Sequence, residues 1–284
     1  MRYFCTTSLG YYWTKIRKIT TFANYYGVNF ATIILFERQN MKIKYFTLPN
    51  ILTLCNLVCG ILAVLVAVSH LWDPEGVSLG SALWLIGASA LFDFLDGLAA
   101  RLTGQYSPLG VQLDSLADMV SFGLVPSLLL AAMYDAVGGV GGWWVICLGV
   151  ALCSALRLAR FNIDPEQHEE FIGLPTPSLA IAIGSLAWAL EEGSILLSPS
   201  VILAIGIVGA WLLISPLRMF SLKFRGLSLA NATNRLRYLF IILALGVVII
   251  GGLGMVWAAI VLYILLSMAV QAAQFKCKNN SKNE

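Results

Sequence analysis

Residues 81–118 read SALWLIGASALFDFLDGLAARLTGQYSPLGVQLDSLAD, and the fold follows from where this stretch puts its charge. Positions 81–100 could fill a bilayer-spanning helix but for Asp93 and Asp96, and a second apolar run from Val111 contains Asp114 and Asp118. An ionised aspartate at the centre of a bilayer costs about 2.5–3.5 kcal/mol on insertion scales. Four of them within 26 residues therefore need a compensating cation or water. Asp93 and Asp96 are spaced i and i+3, Asp114 and Asp118 i and i+4, so on helices each pair shares one face. Between the pairs, LTGQYSPLG holds a turn at Ser107-Pro108, which predicts that the two helices lie side by side. Two antiparallel helices then present two carboxylate pairs to each other.

The surrounding sequence has the same membrane character. Apolar residues make up 59% of the 284 and charged residues 12%. That charge is about half of what a soluble domain carries on its wetted surface. Mean hydropathy is strongly positive. Apolar runs recur at roughly 51–70, 81–100, 111–133, 141–160, 175–191, 199–217, 236–252 and 254–274. The reading is an all-α, polytopic helical membrane protein with about eight transmembrane helices, because helices satisfy their own backbone polar groups in lipid. Turns at Asp73-Pro74, Gly138-Gly139, Ser198-Pro199 and Gly251-Gly252 make it one bundle spanning 41–284. Residues 1–40 differ, being aromatic-rich and basic, and their longest apolar stretch, Val28 to Phe36, is too short to span. Met41 opens a more ordinary start, MKIKYFTLPN, so 1–40 read as an N-terminal extension with no assigned function.

Charge placement orients the bundle. From Met41 onward every Lys and Arg falls on one side: Lys42 and Lys44, Arg101, Arg157 and Arg160, the bases from Arg218 to Arg237, and those from Lys276 to Lys282. The opposite loops carry Asp73, Glu75, Asp135, Glu191 and Glu192 and no base, and of these Asp135, Glu191 and Glu192 read as solvated charges. The positive-inside rule then makes both termini and the aspartate-bearing helix ends cytoplasmic, in the cell membrane. Cys55, Cys59, Cys147 and Cys153 lie inside apolar runs, no CxxC occurs, and His70 and His168 are far apart, which argues against a disulfide framework or a zinc site. The net charge of +3 is spread as topology requires and gives no basic patch for nucleic acid.

Like charges as close as the four aspartates call for divalent metal, and all-oxygen ligation suits Mg²⁺, Mn²⁺ or Ca²⁺ rather than zinc. Gly97 and Ala100 lie on or beside the Asp93–Asp96 face, and Gly110 is one turn before Asp114. Their small size leaves room for a phosphate group against helix backbone, and Arg101 could offer that phosphate a planar donor fork. Carboxylates inside spans also mark ion pathways, so a transporter is the competing class. A carrier, however, places its site near the midplane, whereas these pairs cluster at the ends of two adjacent helices.

The pattern Asp93-x2-Asp96-Gly97-x2-Ala100-Arg101-x8-Gly110-x3-Asp114-x3-Asp118 resembles, without a departure, that of the CDP-alcohol phosphatidyltransferase family. The resemblance implies a bundle of six core helices, homodimeric, with a two-metal site open to the cytoplasm. It implies that Asp93, Asp96, Asp114 and Asp118 hold the metals and that Gly97, Ala100, Arg101 and Gly110 line the CDP-lipid pocket. Asp118 would double as the base for the acceptor hydroxyl. Leu156-Arg157-Leu158-Ala159-Arg160-Phe161-Asn162, Phe171-Ile172-Gly173-Leu174-Pro175-Thr176-Pro177 and Ser215-x2-Arg218-x2-Ser221-Leu222-Lys223-Phe224 look like the phosphatidylserine synthase branch. That branch implies CDP-diacylglycerol and L-serine as substrates. Arg157, Arg160, Arg218 and Lys223 could bind the serine carboxylate, with Asn162 as a neutral contact. Positive-inside bias alone also predicts bases there, so a topology anchor is the second reading of each. Phosphatidylglycerol phosphate synthesis is the alternative reaction, since its phosphate-bearing acceptor would suit the same bases.

Overall fold

Several helix starts are written as a hydroxyl close to a proline, the hydroxyl as cap and the proline where no N–H is needed. Thr47 accepts from the Asn50 N–H at 3.4 Å and Ser107 from the Gly110 N–H at 2.9 Å. The computed structural model describes residues 45–163, 171–219 and 232–280, without the side chains of Phe171, Arg218, 232–237, 239 and 272–280. The chain divides into residues 1–45 and the unit Phe46–Glu284, to which everything below refers. The extension expected over 1–40 lies outside the described residues.

Helix α1 spans Leu48–Trp72, and α2 spans Ala82–Thr103 after a 3₁₀ turn at Leu79–Ser81. The third rod is α3, Pro108–Asp118, a π-helical turn at Met119–Leu124, and α4, Val125–Ala136. Helix α5, Gly149–Ile163, follows a 3₁₀ segment at Gly141–Leu148, then come α6, Thr176–Glu191, and α7, Pro199–Ile214. Helix α8 is Ala232–Gly251, and α9, Val256–Asn280, is entered through Leu253–Met255.

Helical segments stand at all eight expected positions, and the protein is a helical polytopic membrane protein. Among the described residues, five segments are long and apolar enough to cross a bilayer: Leu48–Trp72, Leu79–Thr103, Pro108–Ala136, Gly141–Ile163 and Leu253–Gln271. Pro199–Ile214 and Phe240–Gly251 are shorter apolar helices, and α6 has 16 residues, so the count of eight remains an expectation.

The third rod lies at the centre, 72% of its most apolar window being buried against 28% for that of α1. Leu129, Leu130 and Met133 of α4 pack with Ala63 and Ala67 of α1, Ile183 of α6 and Leu213 of α7. Outward faces carry Leu65, Phe94, Leu152, Trp211 and Ile249, as lipid contact requires.

Three local features depart from the sequence reading. The rod expected to run unbroken over 111–133 widens into a π turn, in which the Val125 N–H reaches back to the Val120 carbonyl. Pro126 supplies the reason, since it has no N–H for the Phe122 carbonyl and its ring would press against it. Ser127 donates to the Gly123 carbonyl at 3.0 Å. Second, two short strands, β1 at Phe171–Ile172 and β2 at Arg218–Met219, pair antiparallel, with Phe171 opposite Met219. Gly173 continues this clasp at φ +77°, its N–H on Leu217 O at 2.8 Å, and an added Cβ would stand 2.5 Å from Leu213 O. Third, Glu191 is not a free solvated charge. It accepts from the Ser78 hydroxyl at 2.8 Å and the Gly80 N–H at 2.7 Å, tying the end of α6 to the entry of α2.

Candidate active site

The close approach of α1 to the third rod builds the site from the backbone outward. A Cβ on Gly60 would stand 3.0 Å from Ser121 Cα, so only a glycine lets the two backbones meet there. Ser121 and, from α2, Ser89 both donate to the Asn56 carbonyl at 3.2 Å, joining three helices at one residue. The turn at Gly104 (φ +65°) and the Ser107 cap then return the chain so that α3 runs back beside α2.

This packing gathers the carboxylates. Ligand oxygens of Asp93, Asp114 and Asp118 all lie within 4.8 Å of one another. Asp96 is turned aside, with its Oδ2 accepting from the Thr53 hydroxyl at 2.6 Å. Asp118 Oδ1 accepts from the Asn56 amide at 3.0 Å. Asp96 and Asp118 are buried, while Asp93 and Asp114 are half-buried. Asp114 Oδ1 is buried without a partner among the described residues.

Two unit charges 4.8 Å apart repel by roughly 3 kcal/mol at an effective dielectric near 20. Three such pairs are too costly to leave uncompensated. Arg157 on α5 is buried within electrostatic reach of Asp118, but one cation cannot balance this cluster. An acidic triad with an unpartnered buried oxygen fits a divalent metal, and its all-oxygen donors fit a hard one.

The other expected residues divide into those near this cluster and those away from it. Gly97 follows Asp96 on α2, and a Cβ there would meet nothing within 4 Å, so open space borders the helix. At Gly110 a Cβ would meet Asn50 Oδ1 and Ser107 Oγ, each at 3.1 Å. Ala100 is half-buried and Arg101 exposed near the end of α2. The Arg157 Nε has no hydrogen-bond partner among the described residues. Arg160 is exposed, and Asn162, also exposed, donates to Ser115 Oγ at 2.8 Å, next to Asp114 in sequence. The Arg218 side chain and Lys223 lie outside the described residues.

Thr53 and Asn56 are the contacts that spacing arguments missed. Their signal was present, since Asn50, Thr53 and Asn56 recur every third residue in an otherwise apolar helix, and all three are buried. A membrane helix does not bury three polar side chains on one face without partners for them.

Known proteins resemble this chain over the region that holds the cluster. The chain is 38% identical over 154 residues to the CDP-diacylglycerol--serine O-phosphatidyltransferase of Mycobacterium tuberculosis, covering 51% of each protein. It is 32% identical over 175 residues to the enzyme of that name from Bacillus subtilis, covering 60% of this chain and 88% of that one. Against the Helicobacter pylori protein so named, identity is 36% over 140 residues, covering 49% of this chain and 56% of the relative. The chain spans about half the length of its mycobacterial relatives. The family model described as CDP-alcohol phosphatidyltransferase matches residues 46–215, which contain the whole carboxylate cluster and the α1 residues bonded to it. On these grounds the chain belongs to the CDP-alcohol phosphatidyltransferase family.

Proposed function

We propose that this protein transfers the phosphatidyl group of CDP-diacylglycerol to the hydroxyl of L-serine, giving phosphatidylserine and CMP. The observation that carries the proposal is the convergence of Asp93, Asp114 and Asp118 within 4.8 Å beside the open backbone of Gly97. Relatives bearing the serine transferase name supply the acceptor.

In this reading Asp93, Asp96, Asp114 and Asp118 hold Mg²⁺ or Mn²⁺. The bound metal supplies charge neutralisation for the pyrophosphate and for the departing CMP. Gly97, Ala100, Arg101 and Gly110 line the space for the CDP headgroup. The serine oxygen forms a bond to the lipid-bearing phosphorus, the bond from that phosphorus to the CMP oxygen breaks, and Asp118 takes the hydroxyl proton. A serine hydroxyl is too weakly acidic to react at neutral pH unaided, so a base held at a fixed position is needed. Arg157, Arg160, Arg218 and Lys223 form the acceptor side with Asn162. Of these, Arg157 is the best supported for a carboxylate, being buried near Asp118 with its Nε unpartnered.

The domain that does this is 41–284, with 1–40 an extension to it, and the working unit is a homodimer in the cell membrane. Both termini and the site face the cytoplasm in this reading, which the one-sided bases support. A buried arginine would serve a phosphate-bearing acceptor equally well, which keeps phosphatidylglycerol phosphate synthesis as the second reading.

The test offers purified protein labelled CDP-diacylglycerol with serine, glycerol 3-phosphate or inositol phosphate and identifies the lipid formed. Phosphatidylserine together with CMP is the expected outcome. Consumption of glycerol 3-phosphate with serine ignored would replace the acceptor, and no CMP release with any alcohol would reject the reaction class.

A further inference from the structure

Asn56 is fully buried on α1. Its backbone carbonyl is gripped by Ser89 and Ser121, each at 3.2 Å, so α1, α2 and the third rod fix its position together. From there its amide nitrogen donates to Asp118 Oδ1 at 3.0 Å. Its own Oδ1 is buried without a partner among the described residues. An amide kept only to fill space would be poorly chosen here, because an apolar side chain of the same size would leave no acceptor orphaned. The donor to Asp118 is what the asparagine adds.

Thr53, one turn earlier, is built differently. Its hydroxyl stands 2.6 Å from Asp96 Oδ2 but also 3.1 Å from the Pro49 carbonyl. A single hydroxyl proton can serve only one of them at a time. Asp96 can therefore leave for another ligand while Thr53 turns to its own helix, with no buried donor orphaned. Among the described residues Asn56 has no such second acceptor, and Asp118 loses the Asn56 amide if it turns away.

We infer that Asn56 is a positioning residue that holds the Asp118 carboxylate in a fixed orientation toward the metal-binding cluster, whereas Asp96 is held releasably by Thr53. This rests on the metal-dependent transferase reading. Partners of this kind orient ligating carboxylates, and their loss typically weakens metal affinity or activity about 10- to 100-fold.

The experiment titrates Mn²⁺ into purified, detergent-solubilised full-length protein without lipid substrate, with free Mn²⁺ followed by electron paramagnetic resonance. It compares the wild type with Asn56→Leu, which keeps the size but removes the donor, and with Asn56→Ala should the leucine variant not fold. Ser185→Ala serves as a packing control, since its hydroxyl bonds Leu253 O and the Trp257 N–H instead of the cluster. Either Asn56 variant should bind Mn²⁺ about 10- to 100-fold more weakly. It should also lose kcat at saturating metal while keeping its KM for CDP-diacylglycerol. The control should lose thermal stability alone. Wild-type Mn²⁺ affinity and kcat in a folded Asn56 variant would overturn the inference and leave the transferase reading standing. A wild type that binds no Mn²⁺ would overturn both.

Discussion

Replacing Gly97 by alanine should move stability and activity in opposite directions. A Cβ at this helix-interior position would meet no heavy atom within 4 Å, so the methyl has room in the protein alone. Glycine loses more backbone freedom on folding than alanine, and the change should stabilise the protein by about 0.5–1 kcal/mol. The same open space is where the CDP phosphate is proposed to lie against the helix. An extra methyl in a filled site costs about 1–3 kcal/mol, which corresponds to roughly a 5- to 150-fold loss in kcat/KM. Thermal unfolding in detergent reads the first effect. Initial rates of CMP release against CDP-diacylglycerol concentration, at saturating serine and metal, read the second. Unchanged kcat/KM in the Gly97→Ala variant would show that substrate does not use this space. A lower unfolding temperature would show that the glycine serves packing instead.

The remaining predictions test other parts of the site and bundle. Chelation should abolish transfer and Mg²⁺ or Mn²⁺ restore it, and Asp93→Ala or Asp114→Ala should each cost about 3–4 kcal/mol of transition-state stabilisation, measured as kcat at saturating substrate. Gly173→Ala should lower stability by about 2 kcal/mol or more, since it combines a left-handed residue with a backbone collision at 2.5 Å; thermal unfolding checks this. Arg157→Ala should raise the serine KM roughly ten- to a hundredfold, with CDP-diacylglycerol affinity little changed, as expected for loss of a charge-assisted bond of about 1.5–3 kcal/mol. In a background without native cysteines, Tyr106→Cys should react with an impermeant thiol reagent only from the cytoplasmic face and Glu75→Cys only from the other. Labelling of both from one side would refute the orientation.

The carboxylate pairs of the candidate site were legible in the sequence, for reasons of local geometry. The i, i+3 and i, i+4 spacings of the aspartates follow helical periodicity, and the Ser107-Pro108 turn brings their helices together. Burial cost in lipid made the same four residues conspicuous. The seven apolar stretches outside the third rod needed only composition and length to be placed, and their ends differ from the helices found by a few residues.

Other features depended on partners distant in the chain. The bond from Asn56 to Asp118 joins residues 62 apart, and that from Thr53 to Asp96 joins residues 43 apart. Glu191 read as a solvated acid because its partners, Ser78 and Gly80, lie more than a hundred residues away. Pro126 announced a disturbance in its helix, but proline permits a kink, a break or a wider turn, and packing around the rod selects among them. Residue types and short-range spacing thus specified the membrane helices and the carboxylate pairs, because each depends on solvation cost or on geometry within a few residues. Which three carboxylates converge, which one turns aside to Thr53, and which arginine is buried near Asp118 came from long-range packing, because a side chain's partners across a helix interface have no fixed separation in sequence.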